Sequence, residues 1–248
     1  MNISILLPYK ENYAHDNAGA VSLFVNDMAR ESIYKKTIKI YGNTKYRKYL
    51  SSNYVNIEFN KNLLQSLNYK YVKNFIQLSD VIDSDLIEVH NRPKYIDQIR
   101  KYYSNKIFLY FHNDPLSMAG SKTFTERCNL INKVDKLIFN SKWCRDRFFI
   151  NFENKDYFLN KTDICFQSAS RIKVNFKKKE KIISFVGKLN NAKGYDIFGN
   201  AIIKILNKHP SWSAKVYGDE PREKLTFKHK NLKVLGFKDN KYILEDLK

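Results

Sequence analysis

Glycine and proline are scarce in this 248-residue chain, with 8 and 5 copies, and cysteine, methionine and tryptophan are scarcer still, at 3, 3 and 2. So little Gly and Pro excludes collagen-like and low-complexity linker architectures. Cys128, Cys144 and Cys165 form no CxxC pair and are odd in number. That excludes a disulfide framework or a paired-cysteine zinc site and fits a reducing compartment. No run approaches the roughly 18 apolar residues of a spanning helix, and the apolar stretch at 3–7 is cut short by Pro8. The sequence therefore predicts a soluble, cytoplasmic protein. Also missing are the GxGxxG and GxxxxGK[ST] phosphate loops, HExxH, any Ser/His/Asp order, and the signatures of zinc-finger or RNA-recognition modules.

What is present is aromatic, apolar and basic. Seventeen Tyr, 17 Phe and a 43% hydrophobic share are enough for a real core and too many for a disordered chain. Forty-four Lys and Arg against 25 Asp and Glu leave a net charge of +19, which attracts nucleic acid, anionic lipid or phosphorylated small molecules. The densest run, Lys177-Lys178-Lys179-Glu180-Lys181, reads as a solvated linker.

Short β-rich runs alternate with helical spacing along the chain. Strands are expected at 3–7, 37–41, 55–59, 86–89, 106–111, 136–139 and 162–167, with helices at 20–30, 63–78, from Pro93, around 124–132 and at 142–150. The pattern restarts after the lysine run, with strands at 181–186, 213–217 and 232–235 and helices at 195–207 and 241–248. Such alternation implies βαβ units and mostly parallel sheets covered on both faces. The expected division is a first domain at 1–172, a basic linker at 173–180 and a second, incomplete domain at 181–248. Strand one is expected beside the strands at 86–89 and 107–111. An incomplete second domain would leave Val216, Leu232, Val234 or Ile243 unusually exposed.

In doubly wound sheets ligands bind beyond the C-terminal strand ends, which selects four loops. The first runs from Pro8 into a helix whose start, Asn17-Ala18-Gly19-Ala20, is small enough for a ligand to reach backbone N–H groups. The second and third, Val89-His90-Asn91-Arg92-Pro93 and Phe111-His112-Asn113-Asp114-Pro115, each follow an apolar strand with a His-Asn pair. A lone histidine is usually structural, but two such pairs at equivalent strand ends suggest a polar cleft. The fourth, 185–194 (FVGKLNNAKG), is a strand–loop–helix with glycines at 187 and 194 and cations at 188 and 193. Lys188 and Lys193 can neutralise a diphosphate, with Gly187 for the turn and Gly194 for close approach; a lysine-rich surface loop is the alternative. Asp83-Ser84-Asp85 precedes a strand, away from the ligand side, and no metal is expected there.

Together these loops resemble the retaining glycosyltransferases of family 4, whose GT-B fold has two Rossmann-like domains. FVGKLNNAKGYDIF at 185–198 is similar to that family's FVGRLxxxKGxDxL segment. LIEVHNRP and IFLYFHNDP resemble its acceptor-side strands, FNSKWCRDRF its following strand–helix unit, and Tyr217-Gly218 and Val234-Leu235-Gly236-Phe237 its nucleotide-domain strands. The resemblance implies transfer of a hexosyl group from a nucleotide-diphosphate sugar to a glycan, lipid-linked or other saccharide acceptor with retention, in cell-envelope polysaccharide synthesis. It implies that Gly187, Lys188, Lys193 and Gly194 hold the donor diphosphate. It also places His112 at the catalytic centre and Gly19, Ala20, Asn91, Asn113 and Asp114 in the acceptor cleft. It requires neither metal nor other cofactor and no nucleic-acid partner, and a basic face would suit an anionic membrane surface.

The chain departs from the family at three places. Lys188 stands where Arg is preferred, 165–170 reads CFQSAS without the usual PNG turn, and the paired-glutamate segment lies beyond the last residue. A truncated chain is therefore expected. The competing readings are a non-catalytic nucleotide- or carbohydrate-binding remnant, a nucleotide-sugar epimerase of the same fold, and a basic nucleic-acid binder.

Overall fold

The computed structural model describes residues 1–60, 65–167, 173, 179–220 and 225–248. The chain divides into two compact units, Met1–Ser170 and Arg171–Lys248. The expected linker at 173–180 lies mostly outside the described residues, as does the end of the CFQSAS segment.

The first unit is a seven-stranded, wholly parallel sheet. Its strands are β1 (Ile3–Leu6), β2 (Ile38–Gly42), β3 (Tyr54–Asn56), β4 (Leu86–His90), β5 (Lys106–Phe111), β6 (Lys136–Phe139) and β7 (Thr162–Ile164), in spatial order β3-β2-β1-β4-β5-β6-β7. Strand one sits between β2 and β4, so the strand at 106–111 borders β4 and not β1. This corrects the expected neighbourhood: the order reverses at β1, and successive right-handed crossovers then march outward in both directions.

Helices α1 (Ala20–Glu31), α2 (Leu67–Ile76), α3 (Ser79–Ile82), α4 (Tyr95–Arg100), α5 (Phe124–Lys133) and α6 (Lys142–Phe148) connect the strands. Of the helix expected at 63–78, residues 63 and 64 lie outside the described residues, and the observed helix runs Leu67–Ile76 behind the Ser66 cap, whose side chain accepts from the Tyr69 N–H. Two apolar layers follow from strand alternation. One packs Ile87, Val89, Leu109 and Phe111 under α2, α4 and α5; the other packs Leu86 and Tyr110 with Phe24 and Val25 of α1. All five residues of β4 are buried, including Glu88 and His90.

The second unit holds β8 (Ile182–Val186), α7 (Tyr195–Lys208), β9 (Ser213–Tyr217), β10 (Leu232–Val234) and α8 (Asn240–Asp246), with a parallel sheet ordered β10-β9-β8. Its apolar cluster centres on Ile202, Leu206 and Ala214. Val216, expected to be exposed, is fully buried because β9 is the central strand; Leu232 and Ile243 are half-buried, and Val234 on β10 is 49% exposed.

Candidate functional site

The loop from β8 to α7 ends at a helix N-terminus. Asn190 caps a short 3-10 turn (Asn191–Lys193), its side chain accepting from the Lys193 N–H. Gly194 then adopts φ 71°, the left-handed region, and is the N-cap of the 14-residue α7. It thus precedes the first turn of the helix. A side chain at Gly194 would meet no atom within 4 Å, while the Tyr195 N–H that opens the helix donates to the Asn190 carbonyl at 3.2 Å and Asp196 lies in the first turn. Lys188 and Lys193 are both exposed, and neither joins an ion pair among the described residues. The loop is fixed from beneath: Gly187 N–H donates to the Tyr217 carbonyl, and a Cβ on Gly218 would lie 1.8 Å from the Gly187 carbonyl oxygen. Only glycine at 218 permits that approach.

At the start of α1 the small residues do not leave an empty helix end. Gly19 is the N-cap, but the Glu11 carboxylate fills the space above it; Glu11 Oε1 would lie 1.9 Å from an added Cβ and accepts from the Ser22 N–H at 3.3 Å. Burial raises the Glu11 pKa, opposed by hydrogen bonds from the Ser22 and Val21 N–H groups and by the charge of Arg92. Ala20 is exposed beside it.

The β4 and β5 ends converge on the histidines. Glu88 and His90 share one face of β4, and His112 follows β5 on the same side of the sheet. His90 Nε2 is 2.6 Å from Glu88 Oε1, His90 Nδ1 is 2.8 Å from His112 Nε2, and Gln167 Nε2 is 2.8 Å from His112 Nδ1. Tyr110 stacks on both rings, at 5.3 and 4.5 Å between centroids, and Phe24 closes the far side of His112. His112 is 8% exposed, and burial together with the neighbouring His90 pushes its pKa down to about 2, so it is a neutral ring at any ordinary pH. All its partners lie in the first unit, as for a structural histidine; what sets it apart is that Gln167 is exposed.

Asn91 is buried at φ 56°, and its Oδ1 accepts from the His112 backbone N–H at 3.2 Å. It is thus a brace beneath His112. Asn113 is exposed. Asp114 caps the turn Pro115–Ser117 and forms a bidentate pair with Arg147, 3.0 Å at the shortest. Desolvation raises the Asp114 pKa, but hydrogen bonds from Arg147 and the Leu116 N–H prevail and hold it below its ordinary value. Beyond β4, Asn91, Arg92, Tyr95, Asn68, Gln98 and Met118 line a cavity of about 500 Å³. Asp83 and Asp85 sit at the opposite edge of the sheet, where Asp85 accepts from the Asn2 N–H.

Three residues escaped sequence reasoning. Glu88 is hidden inside an apolar strand, although its two-residue offset from His90 places both on one face. Glu11 and Gln167 stand in irregular segments with no periodicity to read.

No protein-family profile and no curated protein sequence matches the chain. Solved structures do match in fold. HepE (Alr3699) of Anabaena, in complex with UDP-glucose, is 14% identical over 95% of this chain and 69% of its own, with a TM-score of 0.63. The lipopolysaccharide outer core galactosyltransferase WaaB is 13% identical over 100% of this chain and 71% of its own, with a TM-score of 0.59. The α,α-trehalose 6-phosphate synthase of Burkholderia multivorans is 12% identical over 99% of this chain and 74% of its own, at 0.58. These neighbours are GT-B glycosyltransferases, and the chain has a GT-B-like α/β fold of two Rossmann-like parallel sheets.

Proposed function

We propose that this chain acts in glycosyl transfer, moving a hexosyl group from a nucleotide-diphosphate sugar to a saccharide acceptor with retention of configuration. One observation carries the reading. The loop Gly187–Gly194 brings two exposed lysines, neither in an ion pair among the described residues, and the N-terminus of α7 to the end of a parallel strand. That is the chemistry a diphosphate needs: fixed partial charge from the helix end and mobile full charge from ammonium groups. The HepE neighbour was solved with UDP-glucose, which supports a uridine nucleotide as the first donor to try.

In the reaction, the bond from the sugar C1 to the diphosphate oxygen breaks while the acceptor hydroxyl oxygen bonds to C1 and its proton passes to the departing phosphate oxygen. Negative charge grows on the departing diphosphate. Lys188, Lys193 and the α7 amides stabilise it, so the proposal assigns no metal ion to the step. His112, held neutral, contributes a hydrogen-bond acceptor for a sugar hydroxyl and takes no part as a general base. The cavity beside Arg92 and Asn91 is the acceptor site we assign, in place of the helix end that Glu11 fills. The net charge of +19 suits an acceptor presented at an anionic membrane surface on the cytoplasmic side.

The test is calorimetric titration of UDP-glucose against the wild type and Lys193→Ala, followed by transfer assays with saccharide acceptors. Saturable binding that falls in the variant supports the reading. Binding that is absent, or unaffected by position 193, overturns it.

A further inference from the structure

The buried row Glu88–His90–His112–Gln167 has a direction. A carboxylate only accepts hydrogen bonds, so the 2.6 Å contact makes His90 Nε2 the donor. With His90 carrying its proton at Nε2 alone, its Nδ1 is a lone pair, and the 2.8 Å contact there makes His112 Nε2 the donor. The remaining nitrogen, His112 Nδ1, is left as an acceptor, and the Gln167 amide donates to it at 2.8 Å. Every member of the row is satisfied by this single assignment. The first three are at most 8% exposed, and stacking on Tyr110 fixes both ring planes. Gln167 differs: it is exposed, three residues beyond the end of the three-residue edge strand β7.

We propose that Glu88 and His90 are positioning residues that hold His112 as the Nε2–H tautomer, leaving Nδ1 a fixed acceptor that the Gln167 amide covers until a donor hydroxyl of the substrate replaces it. The ligand chemistry follows from the lone pair. Nδ1 rewards a neutral hydroxyl and repels a carboxylate or phosphate oxygen, so the group recognised here is an unsubstituted sugar hydroxyl. A buried carboxylate two residues away on the same strand face thereby selects the ligand without touching it. The hydroxyl assignment rests on the glycosyltransferase reading; the tautomer assignment does not.

The experiment is a long-range ¹H–¹⁵N correlation spectrum of the ¹⁵N-histidine-labelled full chain. His112 is expected as one neutral tautomer, protonated at Nε2 and bare at Nδ1, across the range in which the protein stays folded. In Glu88→Gln the side-chain amide can either accept from or donate to His90, and both histidines should pass to mixed tautomers. Gln167→Ala should keep the tautomer but shift the Nδ1 resonance, and UDP-glucose added to the wild type should shift that same resonance. Turnover in Glu88→Gln should fall about tenfold, the loss typical of one misdirected hydrogen bond. A wild-type His112 protonated at Nδ1, or one unmoved by Glu88→Gln, overturns the proposal, and the wild-type spectrum decides even if the variant does not fold. Correct tautomers with no response to UDP-glucose or any other sugar nucleotide would sink the hydroxyl assignment and the glycosyltransferase reading while leaving the relay intact.

Discussion

At the scale of single residues, the chemistry concentrates on a few charges whose surroundings differ sharply. Lys193 is exposed beside the start of α7, so on the glycosyltransferase reading its loss removes a charge-assisted contact to phosphate of about 1.5–3 kcal/mol. Lys193→Ala is expected to weaken UDP-glucose binding roughly ten- to a hundredfold. Lys188→Arg should bind as well or better, since a guanidinium offers a bidentate fork. Lys204, exposed in the middle of the same helix, is the control, and Lys204→Ala should do little. Calorimetry on the three variants separates a built site from a generic basic surface, which would give three small, equal effects.

Asp114 behaves differently because it is paired. Its carboxyl is held below the usual 3.8, so the Arg147 pair stabilises the fold above the unfolded pKa and is lost as pH falls through the lower folded value. Asp114→Asn should lower stability by about 1 kcal/mol at neutral pH, discounted for a partly exposed pair, and by nothing once the wild-type carboxyl is protonated. Urea melts at neutral pH and at a pH well below 3.8, under the lowered folded value, measure this directly. A difference that persists unchanged at low pH would assign it to packing instead.

At the scale of elements, the β8–α7 loop depends on the strand beneath it. Gly218→Ala puts a methyl group 1.8 Å from the Gly187 carbonyl and forces a side chain onto φ 138°, so either the β9 end or the donor loop must move. It should cost about 1–3 kcal/mol of stability and reduce UDP-glucose binding together with it, because both losses have one cause. Full binding in a destabilised Gly218→Ala would separate the loop from its support. The α1 start makes the opposite case. Glu11 is raised above its ordinary pKa by burial, so its ionised form is a burden that is relieved as pH falls through the folded value. Glu11→Gln keeps an acceptor for the Ser22 N–H and should match or exceed wild-type stability at neutral pH, an advantage that shrinks in acid; thermal melts at two pH values suffice.

At the scale of the molecule, the all-parallel architecture was legible because buried parallel strands read as apolar runs: Leu86–His90 and Lys106–Phe111 stand out without any periodicity. The order of strands was less so. Nothing in the sequence of β5 says that it lies beside β4 and not β1; that follows from successive crossovers. The turn from β8 into α7 was readable because glycines and lysines sit at fixed spacing around a helix start. The helix end at Gly19 misled, since the carboxylate that fills it comes from an irregular segment eight residues earlier. The charge of +19 also acts at this scale. Binding of heparin or DNA should fall by orders of magnitude between about 50 and 200 mM salt, while UDP-glucose, with few charges, should lose only a few-fold. Parallel salt slopes would identify the loop as part of a general polyanion surface.

The short edge strand β7 has a practical consequence. Cys165 directly follows it, its carbonyl accepting from the Tyr110 hydroxyl, and it is exposed, whereas Cys128 is half-buried and Cys144 buried. A strand held by one neighbour opens more readily than the sheet interior. The native thiol therefore lies two residues from Gln167, whose amide covers His112 Nδ1. Labelled with no substitution at all, it carries a reporter group beside that amide, and a bound sugar should change the reporter's signal.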